Sequence, residues 1–479
     1  MLKQLFILLF CLIGYHSFSQ NLFISDSEDL NLRTDDFSVV GVYNNRVVCF
    51  VQKGNEVTLL FYSSFMQKEN ELKLSILPNR FSNLQFFTNN QNELIVLYEV
   101  NESKSNKLYA SKLIDGVEPR WDQPSLISKM PIGSGKGGFS YTVNVSENKE
   151  TFFAYTLFNN DGGLQLQSVV FDIHLNIKQN ISQTLSPSEM NYPAKSAVTD
   201  DGTCFIIMAD KLGNRDVFEN IKLFESNPYS TAFLAYTITN ESRAFSDLQM
   251  NIDNQNQLLH INSFFYQNRN SSLNGIFLST FDMKNHTFPK KYFSRIAVQN
   301  SVNHSNLKDL NIRKVLIKEN GAVTIIAEKY YQSTRVLNTI NPMMGTSFMM
   351  ANDNSRRVTE FNYNEIDLFH FKIDGSLLWS QTVLKEQFTS EDGGIFSSFY
   401  VFEHPLGQAI LFNDLSNRTP RLLVAYIGTD GKLTMKQIQT NEQIDEWNLM
   451  PRSAIQISKS ALIMPCIMKN HLSFLKINF

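Results

Sequence analysis

The amino-acid sequence predicts an all-β protein, and more narrowly a β-propeller of four-stranded blades. Three observations lead to this prediction. Short runs of apolar residues alternate with polar ones on a period of two, the pattern of half-buried strands. Turn residues follow these runs, and the units recur every ~45–60 residues, close to the spacing of propeller blades. The chain also carries 38 Phe and 17 Tyr, which suit strand positions.

Residues 365–383 (EIDLFHFKIDGSLLWSQTV) show the repeating unit most clearly. Ile366, Leu368 and Phe371 alternate along one strand, and Asp374-Gly375 then turns the chain into a return strand from residue 377. Asp-Gly between two alternating runs is a strong hairpin signal, because glycine tolerates the positive φ that tight turns need.

The first 19 residues have the pattern of a signal peptide. Lys3 precedes an apolar run over 5–13, and small residues follow at Ser17 and Ser19. We expect cleavage after Ser19, which leaves Gln20 at the mature N-terminus. No later stretch is long and apolar enough to span a membrane. The sequence therefore predicts an exported protein, either periplasmic or outer-membrane-associated and extracellular.

Eight rounds of short strands follow, each bounded by polar turns. They cover residues 38–77, 84–127, 140–185, 195–245, 248–296, 312–383, 396–439 and 454–477. The last round has only three strands, and residues 21–25 offer the missing fourth. We therefore predict eight blades and a ring closed by pairing of the N- and C-terminal strands, which removes exposed sheet edges. Seven blades is the alternative, because periods inside the insertions are ambiguous.

No change in composition along residues 20–479 resembles a linker, so we expect one propeller domain. Two stretches interrupt its strand pattern and are interpreted as insertions, over 211–230 and 332–364. Both are predicted to connect the second and third strands of their blades.

Charge and cysteine usage exclude several classes of function. The net charge is −3 and the pI about 6.3, which does not suit a nucleic-acid-binding surface. Cys49, Cys204 and Cys466 lie inside apolar strand patterns and are predicted to be buried free thiols. The eight histidines are scattered, so we expect neither a metal site nor a cofactor.

Several short motifs between about 246 and 431 resemble a family of secreted proteins of Bacteroidota-type bacteria. The residues that carry this resemblance are AEKYY (327–331), IDGSLLW (373–379), LKEQ (384–387), SSF (397–399) and FND (412–414). Ser263-Phe264-Phe265 departs from the family pattern, in which a Gly-Phe-Tyr is usual. The resemblance implies export and propeller-like repeats, and it implies no chemistry.

Polar residues at strand ends of the sixth and seventh blades form a candidate binding face. Loops between second and third strands and those between blades open on one face of a propeller, and loops on a rigid scaffold often carry function. The candidate residues are Glu328, Tyr330, Lys385, Gln387, Asn413 and Asp414, with Met343, Met344, Met349 and Met350 of the second insertion.

Each of these residues also has a simpler interpretation. Lys385 near Glu328 or Asp414 can be a salt bridge between two blades. Asn413-Asp414 can shape a turn through side-chain hydrogen bonds to the backbone. The methionines can provide an adaptable apolar contact surface, or belong to a flexible loop that has no partner.

The sequence lacks the motifs of sialidase propellers, GxSxG hydrolases and HExxH metalloenzymes. We therefore predict a protein-binding or scaffolding module of the cell envelope, associated with the outer membrane, if at all, through a protein partner. The alternative is a propeller enzyme that acts on carbohydrate or uses a quinone cofactor at the channel mouth. Trp121 and Trp379 each follow an Asp-Gly turn, as in tryptophan-docked quinone propellers, but core packing is favoured for both.

Export is directly testable. The mature protein is expected in periplasmic or outer-membrane fractions, with Gln20 or a neighbouring residue at its N-terminus, because the apolar run is followed by small residues. Cell fractionation and N-terminal sequencing measure both properties. Recovery from the cytosol with residues 1–19 intact would contradict the prediction.

Overall fold

The structure, a computed structural model, is built almost entirely from antiparallel β-strands. It describes residues 21–116, 119–131, 140–160, 163–185, 192–212, 217–238, 243–268, 271–296, 309–338, 355–404, 407–415, 421–439 and 442–479. In this part of the chain, helical structure amounts to α1 (Glu442–Asp445) and a 3₁₀ turn at Pro451–Ser453. None of the described helices has the length and apolar character needed to cross a membrane.

The first half of the chain forms four sheet units, which follow two N-terminal strands, β1 (Asn21–Ile24) and β2 (Glu28–Asp29). Unit 1 contains β3 (Asp36–Tyr43), β4 (Arg46–Lys53), β5 (Glu56–Tyr62) and β6 (Lys68–Lys73). Unit 2 contains β7 (Ser82–Thr88), β8 (Leu94–Asn101), β9 (Ser105–Ile114), β10 (Arg120–Trp121) and β11 (Ser125–Pro131). Unit 3 contains β12 (Thr142–Val145), β13 (Thr151–Asn160), β14 (Gly163–Asp172) and β15 (Ile177–Leu185). Unit 4 contains β16 (Tyr192–Val198), β17 (Cys204–Lys211), β18 (Val217–Ser226) and β19 (Leu234–Thr237).

The second half forms four more units. Unit 5 contains β20 (Ala244–Asp253), β21 (Leu258–Tyr266), β22 (Leu273–Asp282) and β23 (Thr287–Arg295). Unit 6 contains β24 (Leu310–Ile317), β25 (Val323–Asn338), β26 (Ser355–Phe371), β27 (Leu377–Val383) and β28 (Gln387–Ser390). Unit 7 contains β29 (Phe399–His404), β30 (Gly407–Asp414), β31 (Arg421–Gly428) and β32 (Leu433–Gln437). Unit 8 contains β33 (Asn448–Leu449), β34 (Ile455–Ser458), β35 (Ala461–Met468) and β36 (His471–Asn478).

Both faces of the inner strands are apolar, which determines how the units pack. In β4, Val48 contacts the core shared with unit 2, whereas its neighbour Cys49 contacts the core shared with unit 8. Successive side chains of a strand point to opposite faces, so such a sheet needs a partner on each side. Among the described residues, eight buried apolar clusters join each unit to the next, and one of them joins unit 8 to unit 1.

The two ends of the described chain pair with each other. β1 runs antiparallel to β36, with Asn21 opposite Asn478 and Ile24 opposite Leu475. The backbone N–H of Ser25 continues the ladder by donating to the carbonyl of Phe474 at 3.0 Å. The pairing of N- and C-terminal strands expected from the sequence is therefore present.

The predicted insertion at 211–230 is wrong over most of its length. Residues 217–226 are the third strand of unit 4, β18, which pairs with β17. The fourth strand is β19, whereas Phe245 belongs to β20 of unit 5, and β18 and β20 pair over two residues to join the two sheets. The alternation was obscured at Asn220, which adopts a left-handed φ of 48° next to a register shift in the β17–β18 ladder.

The predicted insertion at 332–364 is also more regular than the sequence suggested. β25 and β26 continue as a paired two-stranded ribbon as far as Asn338 and Ser355. Met343, Met344, Met349 and Met350 lie outside the described residues.

The three cysteines after the predicted signal peptide are buried free thiols, as the sequence predicted. Burial raises the pKa of the Cys49 and Cys204 thiols well above the usual value. They are therefore protonated at neutral pH and behave as small apolar side chains.

Deleting residues 21–24 is expected to lower the free energy of unfolding by roughly 3 kcal/mol, because Leu22, Phe23 and Ile24 each lose part of an apolar contact. The deletion also leaves β36 with a free edge, which promotes association between molecules. Chemical denaturation and size-exclusion chromatography measure the two effects. Asn21→Ala is the control and should change little. Unaltered stability in the truncated protein would show that β1 contributes nothing.

Candidate functional site

A buried ion pair lies at the centre of the face predicted from the sequence. Glu328, on β25, is fully buried and sits in a register shift of the β25–β26 ladder. Lys385, in the connection from β27 to β28, places Nζ 2.8 Å from Oε1 of Glu328. Arg313 Nε is 3.0 Å from the other oxygen, Oε2, which also accepts a 2.7 Å hydrogen bond from the Ser398 hydroxyl. The simpler interpretation of Lys385, a salt bridge to Glu328, is therefore present, but both residues belong to unit 6, so the bridge does not itself join two blades.

Two amides extend this ion pair across unit 7 to unit 8. The Oε1 atom of Gln387 accepts from Lys385 Nζ at 3.0 Å and from the Ser398 backbone N–H at 2.7 Å. Gln387 Nε2 donates to the carbonyl of Asn413 at 2.7 Å. Asn413 Nδ2 in turn donates to the carbonyls of Phe396 and Leu449, at 2.9 and 2.7 Å. We call Glu328, Lys385, Gln387 and Asn413 the polar clamp.

A similar arrangement joins units 2 and 3. Glu99, near the end of β8, is buried, and its Oε1 accepts from the Tyr141 backbone N–H at 2.9 Å and the Ser140 hydroxyl at 2.6 Å. Asn83 Nδ2 donates to the same oxygen at 2.5 Å. A buried acceptor at the end of a second strand thus binds the start of the following unit in two places, which favours a structural role for the polar clamp.

Burial changes the acid–base behaviour of Lys385. Its side chain is 1% exposed, and loss of solvent lowers its pKa below the usual value, while the charge of Glu328 acts in the opposite direction. A buried charge is stable only when it is paired and hydrogen-bonded. The contacts of Lys385 with Glu328, Gln387 and the carbonyl of Tyr363 meet this need.

Two tyrosines in tilted ring contact lie beside the polar clamp at the base of the ribbon. Tyr330 and Tyr363 have ring centroids 4.5 Å apart, and the Arg313 guanidinium lies 5.3 Å from the Tyr330 ring. Arg452, from the 3₁₀ turn of unit 8, donates to the Tyr363 hydroxyl at 2.9 Å. Burial raises the pKa of Tyr363, which therefore remains a neutral phenol at physiological pH. Through these contacts with Arg313 and Arg452, the tyrosines hold the base of the ribbon against the rest of unit 6 and against unit 8.

A cleft of about 480 Å³ opens beside the polar clamp. Its lining includes Lys385, Asn413 and Asp414 of the predicted face, together with Glu365, Glu386, Leu384, Phe412 and Leu423. Oδ1 of the buried Asn413 has no hydrogen-bond partner among the described residues. Glu365 forms an ion pair with Lys329 at 3.2 Å. The cleft therefore presents three carboxylates around one buried ammonium group.

The ribbon rises next to this cleft. β24 pairs with β25 only as far as Lys329, and the Tyr330 N–H then donates to the carbonyl of Asp309 at 2.8 Å. From 331 to 338, β25 pairs with β26 on one side, and no described strand pairs with its other side. These eight residues span roughly 25 Å at about 3.3 Å per residue.

The sequence thus grouped residues that the structure brings together, but it missed several of their partners. Glu328, Lys385, Gln387 and Asn413 form one network, Tyr330 packs at its edge, and Asp414 lines the neighbouring cleft. Arg313, Tyr363, Ser398 and Arg452 were missed. The motif around residues 397–399 was the one available signal for Ser398, and nothing in the spacing of the others pointed to this site.

The described residues hold no group of three or more histidine, cysteine, aspartate or glutamate side chains placed to bind a metal ion. Of the two tryptophans singled out from the sequence, Trp121 is buried and Trp379 is half-buried. Trp121 belongs to the apolar cluster between units 1 and 2, and Trp379 stacks on His370 with ring centroids 4.9 Å apart.

Comparisons with known proteins give no sequence relative. Neither a protein-family profile nor a curated protein matches the chain. Among solved structures, the chain is similar to prolyl oligopeptidase B from Galerina marginata, with 8% identity, a TM-score of 0.44 and coverage of 91% of this chain. It spans 55% of that enzyme's chain.

A second similar structure is the polysaccharide lyase Uly1, with 10% identity, a TM-score of 0.40 and coverage of 92% of this chain and 89% of the lyase. A third is an ancestral GH74 enzyme, with 9% identity, a TM-score of 0.34 and coverage of 90% and 61%. At these TM-scores the similarities carry no weight for the function of this chain.

The polar clamp makes a direct stability prediction. Lys385→Met is expected to lower the free energy of unfolding by about 3 kcal/mol, because it leaves the Glu328 carboxylate buried with one cation fewer. The double variant Glu328→Gln/Lys385→Met should recover much of this loss, since no buried charge remains unmatched. Urea denaturation measures both.

The control is Lys314→Met, which breaks a half-exposed ion pair with Glu403 and should cost less than ~1 kcal/mol. If Lys385→Met costs no more than Lys314→Met, the buried pair does not stabilise the junction between units 6 and 7.

Proposed function

We propose that the chain forms a closed eight-bladed β-propeller, exported to the cell envelope, that binds a partner protein. The ring is supported by the eight units, of which units 4 and 5 share one sheet, by the apolar cluster between units 8 and 1, and by the pairing of β1 with β36. Export is supported by the signal-peptide pattern of residues 1–19.

The free edge of the ribbon is the observation that carries the binding proposal. An unpaired strand edge offers a row of N–H and C=O groups to another extended chain. Proteins that bind by strand addition use such an edge for affinity and the flanking side chains for specificity. Over 331–338, the described residues leave this edge of β25 uncovered.

The direction of the backbone groups follows from one hydrogen bond. The Tyr330 N–H points away from β26, toward the carbonyl of Asp309. Backbone groups of a strand alternate between its two sides, so Gln332 and Thr334 also direct their N–H and C=O groups to the free edge. Ser333 and Arg335 direct theirs toward β26. The edge is therefore open at alternate residues, as strand addition requires.

The surroundings of the ribbon indicate what the partner segment carries. Leu384, which lines the cleft, is 74% exposed, and Phe388, on β28 at the opposite side of the ribbon from the free edge, is 54% exposed. Glu386 and Asp414 add carboxylates to the cleft lining. An extended partner segment with apolar and basic side chains complements this surface. Such a partner fits a scaffolding role in an envelope assembly.

A carbohydrate-active enzyme is a second candidate, favoured by one observation. Glu365, Glu386 and Asp414 line the same cleft, and paired carboxylates are the groups that most glycoside hydrolases use. The ion pair of Glu365 with Lys329 is an argument against a catalytic role for that residue. For an enzyme of this kind, the edge of β25 is dispensable.

Thr334→Pro tests the binding proposal. Proline removes an outward N–H and leaves the β25–β26 ladder intact, so the protein should fold normally, as edge strands tolerate proline. Capture of the partner from envelope fractions should fall roughly tenfold or more, because a hydrogen bond is lost and the pyrrolidine ring of proline obstructs the incoming strand. Quantitative mass spectrometry of the proteins bound to each variant measures this.

Thr334→Ala is the matched control, since it shortens the same side chain but keeps the N–H. It should recover partners as the unaltered protein does. Equal recovery by the proline and alanine variants would overturn binding through the edge of β25. If the protein hydrolyses a carbohydrate and both variants keep that activity, the carbohydrate-active enzyme is favoured.

A further inference from the structure

A second cleft, of about 170 Å³, lies between units 5 and 6. Its lining comes from β21, β22 and β23 on one side and from the hairpin turns of unit 6 on the other. Its lining includes His260, Asn262, Lys290, Tyr292, Lys372 and Gly375. This cleft is distinct from the polar clamp and from the ribbon.

The inner part of the cleft contains polar atoms that have no partner. His260 is 5% exposed and Asn262 is 1% exposed, yet His260 Nε2 and Asn262 Nδ2 form no hydrogen bond with any described residue. Buried polar groups in proteins are nearly always paired, so these atoms indicate a missing partner.

Their position in the strand makes the two residues more unusual. Side chains at alternate positions of β21 share a face, and Phe264, two residues beyond Asn262, packs in the apolar cluster between units 5 and 6. His260 and Asn262 thus occupy positions at which apolar residues would extend that cluster. Polar side chains at these positions reduce apolar packing between units 5 and 6, and no hydrogen bond inside the described chain compensates for that loss.

Charge at the cleft favours an anionic partner. Lys290 and Lys372 both line it, and its lining includes no aspartate or glutamate. Neither lysine forms an ion pair within the described residues. Asp253 is the acid whose charge acts on His260, but its carboxylate accepts hydrogen bonds from the backbone N–H and Nδ2 of Asn256, at 2.9 and 2.7 Å.

We propose that this cleft binds a small oxyanion, a carboxylate or phosphate group, with His260 and Asn262 as buried donors and Lys290 and Lys372 as the cations at its rim. Four donors arranged around a small cavity match the several acceptor oxygens of such a group. The oxyanion can arrive as a free ion or as the end group of a larger molecule.

His260 also provides a reporter for occupancy. Burial lowers its pKa, the charge of Lys290 acts in the same direction, and Asp253 acts against them. A bound anion favours the charged imidazolium and therefore raises the pKa of His260. Binding elsewhere on the protein leaves this histidine unchanged.

The test is an NMR titration of the mature protein with inorganic phosphate, and separately with acetate, in which the His260 ring signals are followed. The expected result is saturable binding of at least one anion and an increase in the pKa of His260. Lys290→Gln/Lys372→Gln should weaken that binding at least ~10-fold, because two charge-assisted contacts are lost. Both lysines lie at the rim, so the protein should remain folded.

Lys291→Gln is the control, because the adjacent residue of β23 points away from the cleft, toward the Phe288 ring. It should leave the affinity unchanged. The proposal is overturned if neither anion binds saturably, which means that water fills the cleft. It is also overturned if an anion binds without moving the His260 signals, or equally well to the double variant.

Discussion

Burial of both faces of the inner strands is the constraint on which this structure depends. The inner strands are almost wholly enclosed, as in β30 and β35, where seven of eight residues in each are buried. A sheet that is apolar on two faces must be covered on two sides, and each unit covers its neighbours. The first and last units obey the same constraint, because Val47 and Tyr62 share a cluster with Ile463 and Phe474.

Apolar packing between sheets does not satisfy the backbone polar groups at the sheet ends, where the chain passes from one unit to the next. Backbone N–H and carbonyl groups in these connections are buried and need partners. Glu99 and Gln387 accept from such N–H groups, and Asn413 donates to two carbonyls. Polar residues that stand out among the apolar strands therefore mostly hold neighbouring units together. The surfaces available for binding are those where strand edges or buried polar atoms lack a hydrogen-bond partner.

The features that could be predicted depend on residues close together in the sequence, whereas most of the features that were missed depend on contacts between residues far apart in it. Alternation and Asp-Gly turns are local, so most strands and their order were foreseen. The strand at 217–226 was missed because the left-handed Asn220 interrupts its alternation. The partners of Glu328 lie 15 residues away at Arg313 and 70 away at Ser398, distances that no local pattern encodes. The unpartnered His260 and Asn262 looked like ordinary strand residues until their neighbours were known.

The Asp-Gly turns connect the packing between units to the site between units 5 and 6. Gly375 and Gly431 adopt left-handed φ values of 77° and 81°, and a Cβ atom on them would lie 2.4 Å from the Tyr292 ring and 2.7 Å from the Trp379 ring. An aromatic residue of one unit thus packs directly on the turn of the next. Tyr292 and Gly375 also line the cleft between units 5 and 6, and the carbonyl of Lys372, at the start of that turn, accepts from the Gly375 N–H. The contact that joins units 5 and 6 therefore also fixes the backbone from which one of the two rim lysines extends.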